Sequence, residues 1–197
     1  MRYGLKILLL TGFGMALLVS KAQVHSGVQW MSFEEAVKRN EGYPKKKIFI
    51  DVFTDWCGWC KKMDAETFAD TAVATYMNQT FWCVKLNAER QDTVEYAGRK
   101  WVSTQPGQPR APHQLAAALL QGRMSYPSYV ILDENNNKVT SLAGYQQAGN
   151  FLLILRYFGD NLHFQFPWEE FRKQQENKKP WKCFRIFFKS PGWANEA

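Results

Sequence analysis

Hydrophobic and polar positions along this chain follow patterns that predict helices and strands. Ser32-Phe33-Glu34-Glu35 has the Ser-x-x-Glu form of a capping box, and the apolar residues after it share one side of a helix that ends near Arg39. The compact run Ile48-Phe49-Ile50-Asp51-Val52-Phe53 is typical of a strand buried on both faces. A helical pattern follows over residues 58–68. A buried strand is therefore expected to lead directly into a helix.

The later pattern continues this mixture of helices and strands. It predicts helices over residues 71–77, 93–101, 113–121 and 146–158, and strands over residues 81–87, 129–132 and 138–142. A loop rich in proline and glycine, residues 103–112, separates two of the helices. This order of elements predicts an α/β fold in which a central mixed β-sheet is sandwiched between helices.

The first residues differ in kind from the rest of the chain. Arg2 and Lys6 accompany an apolar run over residues 7–19, and Ser20-Lys21-Ala22 forms a small-x-small site after it. The run has 13 residues, fewer than the roughly 20 that cross a bilayer. We therefore expect a signal peptide over residues 1–22, with an uncleaved membrane anchor as the alternative. The protein would be exported, and periplasmic if it comes from a Gram-negative bacterium.

Length and charge limit the remaining possibilities. After a signal peptide, a chain of 197 residues leaves room for one domain, which we place at residues 23–160, and a C-terminal extension of unknown role at residues 161–197. The formal charge of +7 would fall to +4 on loss of Arg2, Lys6 and Lys21. No nucleic-acid-binding motif accompanies this charge, so we expect no nucleic-acid partner and no stable membrane insertion after signal cleavage.

The four cysteines are too few for a disulfide-stapled scaffold of this size, and two of them, Cys57 and Cys60, form a Cys-x-x-Cys motif. Haem attachment would require histidine after the second cysteine, where Lys61 stands. A structural zinc site would require a second ligand pair at suitable spacing, which the sequence lacks. A redox pair or a structural disulfide remains, and we expect no metal and no cofactor. Cys83, in a predicted strand, is typical of a buried hydrophobe, whereas the role of Cys183 stays open.

The position of the motif favours redox chemistry. A helix N-terminus lowers the pKa of a thiol because its amide donors and partial positive charge favour the thiolate. Cys57, at the start of the predicted helix, is suited to attack a disulfide. Cys60 lies one turn further along and is placed to resolve the mixed disulfide.

Residues 51–61, Asp51-Val52-Phe53-Thr54-Asp55-Trp56-Cys57-Gly58-Trp59-Cys60-Lys61, resemble the active-site segment of the thioredoxin superfamily. Two further motifs follow in that family's order over residues 33–158. Asp51 matches the buried acid of that family, and Val84-Lys85-Leu86-Asn87 matches the strand that places a lysine near this acid. Tyr126-Pro127-Ser128 is similar to the cis-proline loop that faces the cysteines. The resemblance implies a thioredoxin-like fold and thiol–disulfide oxidoreductase activity.

The resemblance also implies roles for individual residues. Asp51 would accept or relay the proton of Cys60, supported by Lys85. The backbone of Tyr126, beside Pro127, would pair with an extended substrate chain. Independently of the resemblance, Trp56 and Trp59 flank the cysteines, and we expect them to contact the substrate, although either could serve packing alone.

Two departures from typical thioredoxins limit what the resemblance implies. Gly-Trp replaces Gly-Pro between the cysteines, and the stretch over residues 87–127 is longer. Exported subfamilies, such as the thioredoxin-like domain of disulfide-interchange reductases, vary at both places. We expect protein substrates with thiols or disulfides and a membrane or exported redox donor, and we favour a reductase or isomerase over an oxidase. The alternative is an exported peptide- or protein-binding module with a non-catalytic disulfide.

Overall fold

The computed structural model describes residues 27–177. The predicted signal peptide and Cys183 lie outside this part of the chain. Within residues 27–177, no helix has the length and apolar character needed to cross a membrane.

Strands and helices alternate along the described chain. The strands are β1 (Trp30–Met31), β2 (Lys47–Phe53), β3 (Phe81–Asn87), β4 (Val94–Tyr96), β5 (Arg99–Trp101), β6 (Ser128–Leu132) and β7 (Lys138–Ala143). The helices are α1 (Phe33–Arg39), α2 (Gly58–Lys62), α3 (Thr71–Thr80), α4 (Gln114–Leu119), α5 (Ala148–Gly159) and α6 (Trp168–Asn177). A π-helical turn, Met63–Thr67, continues α2, and a 3₁₀ turn, Leu162–Phe164, precedes α6.

Five of the strands form one mixed sheet in the order β1-β3-β2-β6-β7. Strands β1 and β2 run parallel to β3, whereas β6 is antiparallel to both β2 and β7. The expected mixed sheet with flanking helices is thereby confirmed, and the sheet has one strand, β1, that the pattern did not indicate. The central strand β2 is buried along nearly its whole length, as its apolar run predicts.

The alternation of side chains along β2 creates two cores, one on each side of the sheet. Ile48, Ile50 and Val52 pack into the core that α1 and α4 cover. Phe49 points the other way and lies in an aromatic cluster whose rings come from five other parts of the chain: Trp30, Phe68, Phe81, Tyr129 and Phe151. Asp51 shares this second face with Phe49, because the two are separated by one residue.

The N-cap predicted from the sequence acts as expected. Ser32 is the N-cap of α1, and its side chain accepts a hydrogen bond from the Glu35 amide at 3.1 Å. Helices α3, α4 and α5 form in the predicted regions, with ends that differ from the predictions by a few residues.

The predicted helix over residues 93–101 is wrong. Strands β4 and β5 form a hairpin there, in which Val94 pairs with Trp101 and Tyr96 with Arg99. The two turn residues, Ala97 and Gly98, have φ values of 54° and 70°, which match a two-residue hairpin turn and interrupt a right-handed helix. The ring of Tyr96 packs edge-on against Phe33 of α1 at 5.0 Å, so tertiary packing stabilises the strand conformation.

The described part of the predicted C-terminal extension packs against the domain. Phe171 of α6 is 4% exposed and lies 5.3 Å from the ring of Tyr157 in α5. The Tyr157 hydroxyl donates a hydrogen bond to the carbonyl of Phe166 at 2.6 Å. Residues 161–177 therefore extend the folded body beyond α5.

Candidate active site

The two motif cysteines lie where β2 leads into α2, as expected, and they form a disulfide with their Cα atoms 5.3 Å apart. After β2, the chain turns through a hydrogen bond from the Cys57 amide to the Thr54 carbonyl at 3.1 Å. Cys57 is then the N-cap residue of α2, and its Sγ accepts a hydrogen bond from the Cys60 amide at 3.1 Å. After reduction, the same amide is placed to stabilise a thiolate on Cys57.

Burial alone does not distinguish the two cysteines. Cys57 is 4% exposed and Cys60 is 2% exposed, so the two residues are buried to nearly the same extent. What distinguishes them is position on the helix, because Cys57 precedes the first turn and Cys60 lies within it. Two exposed tryptophans, Trp56 and Trp59, flank the cysteines in sequence and are 53% and 57% exposed.

Asp51 and Lys85 form an ion pair inside the sheet. They are register partners on β2 and β3, and Lys85 Nζ donates a hydrogen bond to Asp51 Oδ2 at 2.7 Å. The Asp51 side chain is 1% exposed, whereas that of Lys85 is 21% exposed. The Lys85 ammonium also lies 4.9 to 5.3 Å from three ring centroids, those of Trp30, Phe53 and Phe68. Lys85 is thus held against Asp51 and does not extend freely into solvent.

The environment of Asp51 favours its protonated form. Burial raises the pKa of Asp51 to about 6, and the attraction and hydrogen bond of Lys85 only partly oppose this shift. The second carboxylate oxygen, Oδ1, is buried and has no hydrogen-bond partner within the described residues, which adds to the cost of the charged form. Asp51 therefore exchanges its proton close to neutral pH, as a general base or acid requires.

A second acid, Asp64, was not indicated by the sequence. Asp64 lies in the π-helical turn after α2 and forms an ion pair with Lys85. Its side chain is 48% exposed, so the series Asp51, Lys85 and Asp64 passes from the buried sheet to solvent. Asp64 follows Cys60 by four residues on the same continuous helical segment, so Lys85 links Asp51 to the segment that carries Cys60.

The Tyr126–Pro127 segment lies at the same end of the sheet as the disulfide. Ser128, the first residue of β6, pairs with Val52 in an antiparallel register, so the residues before Ser128 lie alongside those that follow Val52. The peptide bond between Tyr126 and Pro127 is cis, as the resemblance implied. Pro127 is buried, and Tyr126 is half-buried.

Trp56 forms one side of the surface around the disulfide. Its Nε1 donates a hydrogen bond to Glu89 Oε1 at 2.8 Å, and its ring packs edge-on against Tyr126 at 6.0 Å. The guanidinium of Arg110 lies 5.6 Å from the centre of the same ring. We call Trp56, Tyr126, Glu89 and Arg110 the Trp56 wall.

Trp59 forms the other side with partners from a different part of the chain. Its ring lies 5.5 Å from that of Tyr145, in the segment between β7 and α5. Lys62 Nζ is placed over both rings, at 5.3 Å from Trp59 and 5.0 Å from Tyr145, and the Tyr145 hydroxyl donates a hydrogen bond to Glu66 at 2.5 Å. The two tryptophans therefore have neighbours that orient them, yet each remains more than half exposed.

The other residues with possible chemistry are less suited to it. Cys83 is free and 1% exposed, and burial raises the pKa of its thiol to about 12, so it is unreactive near neutral pH. Among residues 27–177, no three His, Cys, Asp or Glu side chains are grouped to hold a metal ion, so we assign no metal ligand there.

The site residues that belong to sequence motifs were predicted, whereas their partners from distant parts of the chain were not. Cys57, Cys60, Asp51, Lys85, Trp56, Trp59, Tyr126 and Pro127 all lie at one end of the sheet around β2. Asp64, Glu89, Arg110 and Tyr145 were not singled out. The spacing of Asp64 from Cys60, one helical turn, is the one signal that could have indicated a contact near the site.

A comparison of the chain with protein-family models gives a match over residues 17–145 to the model described as Thioredox_DsbH, protein of unknown function, DUF255. The chain is also 31% identical over 64 residues to mouse spermatogenesis-associated protein 20. That match covers 32% of this chain and 8% of the mouse protein, so the chain spans a small part of this relative's length.

Among solved structures, a thioredoxin-fold protein from Helicobacter pylori is similar, with a TM-score of 0.50 and 15% identity over 79% of this chain and 91% of that one. At this identity the likeness shows the fold alone. A DsbH oxidoreductase matches with a TM-score of 0.49 and 17% identity, over 73% of this chain and 92% of that one.

The burial of Asp51 predicts how stability depends on pH. The folded-state pKa lies above the ordinary value of 3.8, so this carboxyl favours folding at low pH, and its contribution is lost as the pH rises through about 6. Asp51→Asn cannot ionise and is therefore expected to raise the free energy of unfolding of the oxidised protein above pH 7. A shift of about two pKa units corresponds to at most about 3 kcal/mol. Urea unfolding at pH 4 and pH 7.5 measures the effect.

Asp55→Asn is the matched control, because Asp55 is an exposed acid of the same turn that accepts a hydrogen bond from Asn87. We expect a change within about 0.5 kcal/mol for this variant at both pH values. A loss of stability in Asp51→Asn at pH 7.5 would contradict the assignment of a raised pKa to Asp51.

Proposed function

The chain belongs to the Thioredox_DsbH family, and we propose that it is an exported enzyme that exchanges dithiols and disulfides with protein substrates. The observation that carries this proposal is the Cys57–Cys60 disulfide at the start of a helix that follows the strand carrying Asp51. The thioredoxin-like fold and this disulfide support thiol–disulfide oxidoreductase chemistry in general. Substrate class, direction of electron flow and export are our inferences.

In the proposed reaction, the reduced protein first attacks its substrate. The Cys57 thiolate attacks one sulfur of a substrate disulfide, which forms a mixed disulfide and releases the other substrate sulfur as a thiolate. The Cys60 amide, which lies 3.1 Å from Cys57 Sγ, supports the thiolate that this step requires. A proton from solvent then neutralises the released thiolate.

In the second step, Cys60 attacks Cys57 Sγ in the mixed disulfide. The Cys60 thiol must first lose its proton, and Asp51 is the buried base that we assign to accept it. The attack forms the Cys57–Cys60 disulfide and releases the second substrate thiolate, so two electrons pass from the protein to the substrate. Lys85 and Asp64 offer a path by which the proton on Asp51 leaves toward solvent.

We favour a reductase or isomerase over an oxidase because the active-site segment most resembles reducing members of the superfamily. A reductase needs a donor dithiol to return Cys57 and Cys60 to the reduced form, and we propose a membrane or exported redox protein for that part. Reduction potentials of such pairs span about −270 to −120 mV, so the potential of this pair decides the direction.

We propose export on the pattern of residues 1–22, in which a positive start precedes a short apolar run and a small-x-small site. In a Gram-negative bacterium, export would place the protein in the periplasm, an oxidising compartment. Four cysteines in 197 residues fit a protein that uses cysteine for chemistry in such a compartment.

The second candidate function is a peptide-binding module with a structural disulfide. The exposure of both tryptophans favours it, because exposed aromatic side chains are frequent anchors of protein interfaces. The two functions differ in what the cysteines contribute, and both of the following predictions separate them.

The catalytic assignment predicts that Cys57→Ser abolishes reduction of insulin disulfides with dithiothreitol as the donor. Serine cannot form the mixed disulfide, so the rate should fall to that of dithiothreitol alone. In the absence of dithiothreitol, which would cleave the adduct, reduced Cys60→Ser should instead accumulate a mixed disulfide with the substrate, because the resolving thiol is missing. Mass spectrometry of the intact protein identifies that adduct.

Cys83→Ala is the matched control for cysteine loss, because Cys83 is buried and away from the motif. This variant should retain the wild-type rate wherever it remains folded. Wild-type protein that shows no activity with any dithiol donor would exclude the enzyme and leave the binding module.

The catalytic assignment also predicts that reduction costs less stability than the loss of a structural disulfide. The more reducing a pair is, the more its disulfide stabilises the fold, by about 1.4 kcal/mol for each 30 mV of reduction potential. We therefore expect reduction to lower the free energy of unfolding by no more than about 3 kcal/mol, even for a reductase, whereas the loss of a structural disulfide can cost up to about 5 kcal/mol. Urea unfolding with and without a strong reductant compares the two states. A loss of about 5 kcal/mol would favour the structural disulfide.

A further inference from the structure

The loop over residues 103–112 places a charged side chain at the candidate active site. Arg110 is exposed, and its guanidinium lies 5.6 Å from the centre of the Trp56 ring. Trp56 directly precedes Cys57 in the sequence. This loop belongs to the stretch that is longer here than in typical thioredoxins. Arg110 is thus the one contribution of residues 103–112 to the Trp56 wall.

The loop is held in a defined conformation around Arg110. The Thr104 amide donates to the Pro112 carbonyl at 2.9 Å, and the Gly107 amide donates to the Gln91 side chain at 3.1 Å. The next residue, Ala111, is 4% exposed and anchors the end of the loop. Arg110 itself has a φ of 62°, in the left-handed region that residues with side chains seldom adopt. Such backbone conformations are frequent at functional sites.

The charge of Arg110 is not matched by an acid in the described part of the chain. Within residues 27–177, no carboxylate forms an ion pair with it, whereas Arg39, Arg90 and Arg172 each have a carboxylate partner. Two acids close to Trp56, Glu89 and Asp55, accept hydrogen bonds from other residues. Glu89 accepts from Trp56, and Asp55 accepts from Asn87 at 3.2 Å.

We propose that Arg110 binds a carboxylate of the substrate next to the cysteine that Cys57 attacks. This inference rests on the proposed function and names its substrate class, disulfides with an acidic side chain at one position beside the reacting cysteine. A guanidinium over an aromatic ring can still donate hydrogen bonds from its N–H groups to carboxylate oxygens. Glu89 and Asp55 would repel a substrate acid placed elsewhere along the Trp56 wall. The preference for an acidic side chain therefore applies to one substrate position and not to acidic peptides in general.

Competition between synthetic peptides tests the inference. Each peptide carries one cysteine as a mixed disulfide with neutral 2-mercaptoethanol, and Glu or Lys stands at one of the two positions on either side. Reduced protein is mixed with an equimolar Glu and Lys pair, and mass spectrometry of the released thiols gives the ratio of their kcat/KM values. Reduction of the same pair by dithiothreitol gives the intrinsic ratio.

We expect wild-type protein to favour Glu over Lys about two- to fivefold beyond the intrinsic ratio at one position, the size of an exposed ion pair. Arg110→Gln should remove this preference, Arg110→Lys should retain part of it, and Arg110→Glu should reverse it in favour of Lys. A role limited to holding Trp56 would lower all rates without reversing the preference. High salt should weaken the wild-type preference.

Arg99→Gln is the matched control, because Arg99 is also exposed and lies over a tryptophan ring, at 3.9 Å from the centre of Trp101, in a hairpin that contributes nothing to the Trp56 wall. It should retain the wild-type preference. An unchanged ratio in Arg110→Gln, an equal loss in Arg99→Gln, or a wild-type ratio equal to that of dithiothreitol at all positions would overturn the inference while leaving the proposed function intact. Wild-type protein that reduces none of the peptides would overturn both.

Discussion

The ion pair between Asp51 and Lys85 is the constraint around which the candidate active site is arranged. Burial of two charges between adjacent strands costs stability, and here Oδ1 of Asp51 has no hydrogen-bond partner among the described residues. A carboxyl in such a position is poorly explained by stability. It is better explained by proton exchange near neutral pH, because burial raises its pKa to about 6 and Lys85 links it to the helical segment that carries Cys60. The aromatic rings and Asp64 around Lys85 keep this pair in place.

The surface above the disulfide has a different origin from the pair beneath it. The β2–α2 segment provides both cysteines and both tryptophans, but the neighbours that orient the tryptophans come from loops. Glu89 and Arg110 reach Trp56 from the region after β3, and Tyr145 reaches Trp59 from the segment after β7. Changes in these loops can therefore alter substrate choice without altering the redox pair, in keeping with the general division between scaffold and binding loops.

The sequence allowed prediction of the site wherever a residue belonged to a local motif. Cys57 and Cys60 follow from their spacing and from the change of strand to helix, and Asp51, Lys85 and Pro127 follow from the resemblance. Arg110 and Tyr145 could not be predicted, because their contacts depend on how distant loops fold back on the sheet. The hairpin of β4 and β5 was missed for a related reason: its strands are three residues each, and the packing of Tyr96 on Phe33 decides their conformation.

The most direct test of the account is the pH dependence of the step in which Cys60 attacks the mixed disulfide. Stopped-flow tryptophan fluorescence can follow this step when the reduced protein reacts with excess bis(2-hydroxyethyl) disulfide, a neutral substrate. If Asp51 accepts the proton of Cys60, the wild-type rate should rise through an inflection near the pKa of about 6. At pH 7 it should exceed the rate of Asp51→Asn by at least about tenfold, a modest share of what general bases contribute. Identical rates and pH profiles for the two proteins would contradict the account.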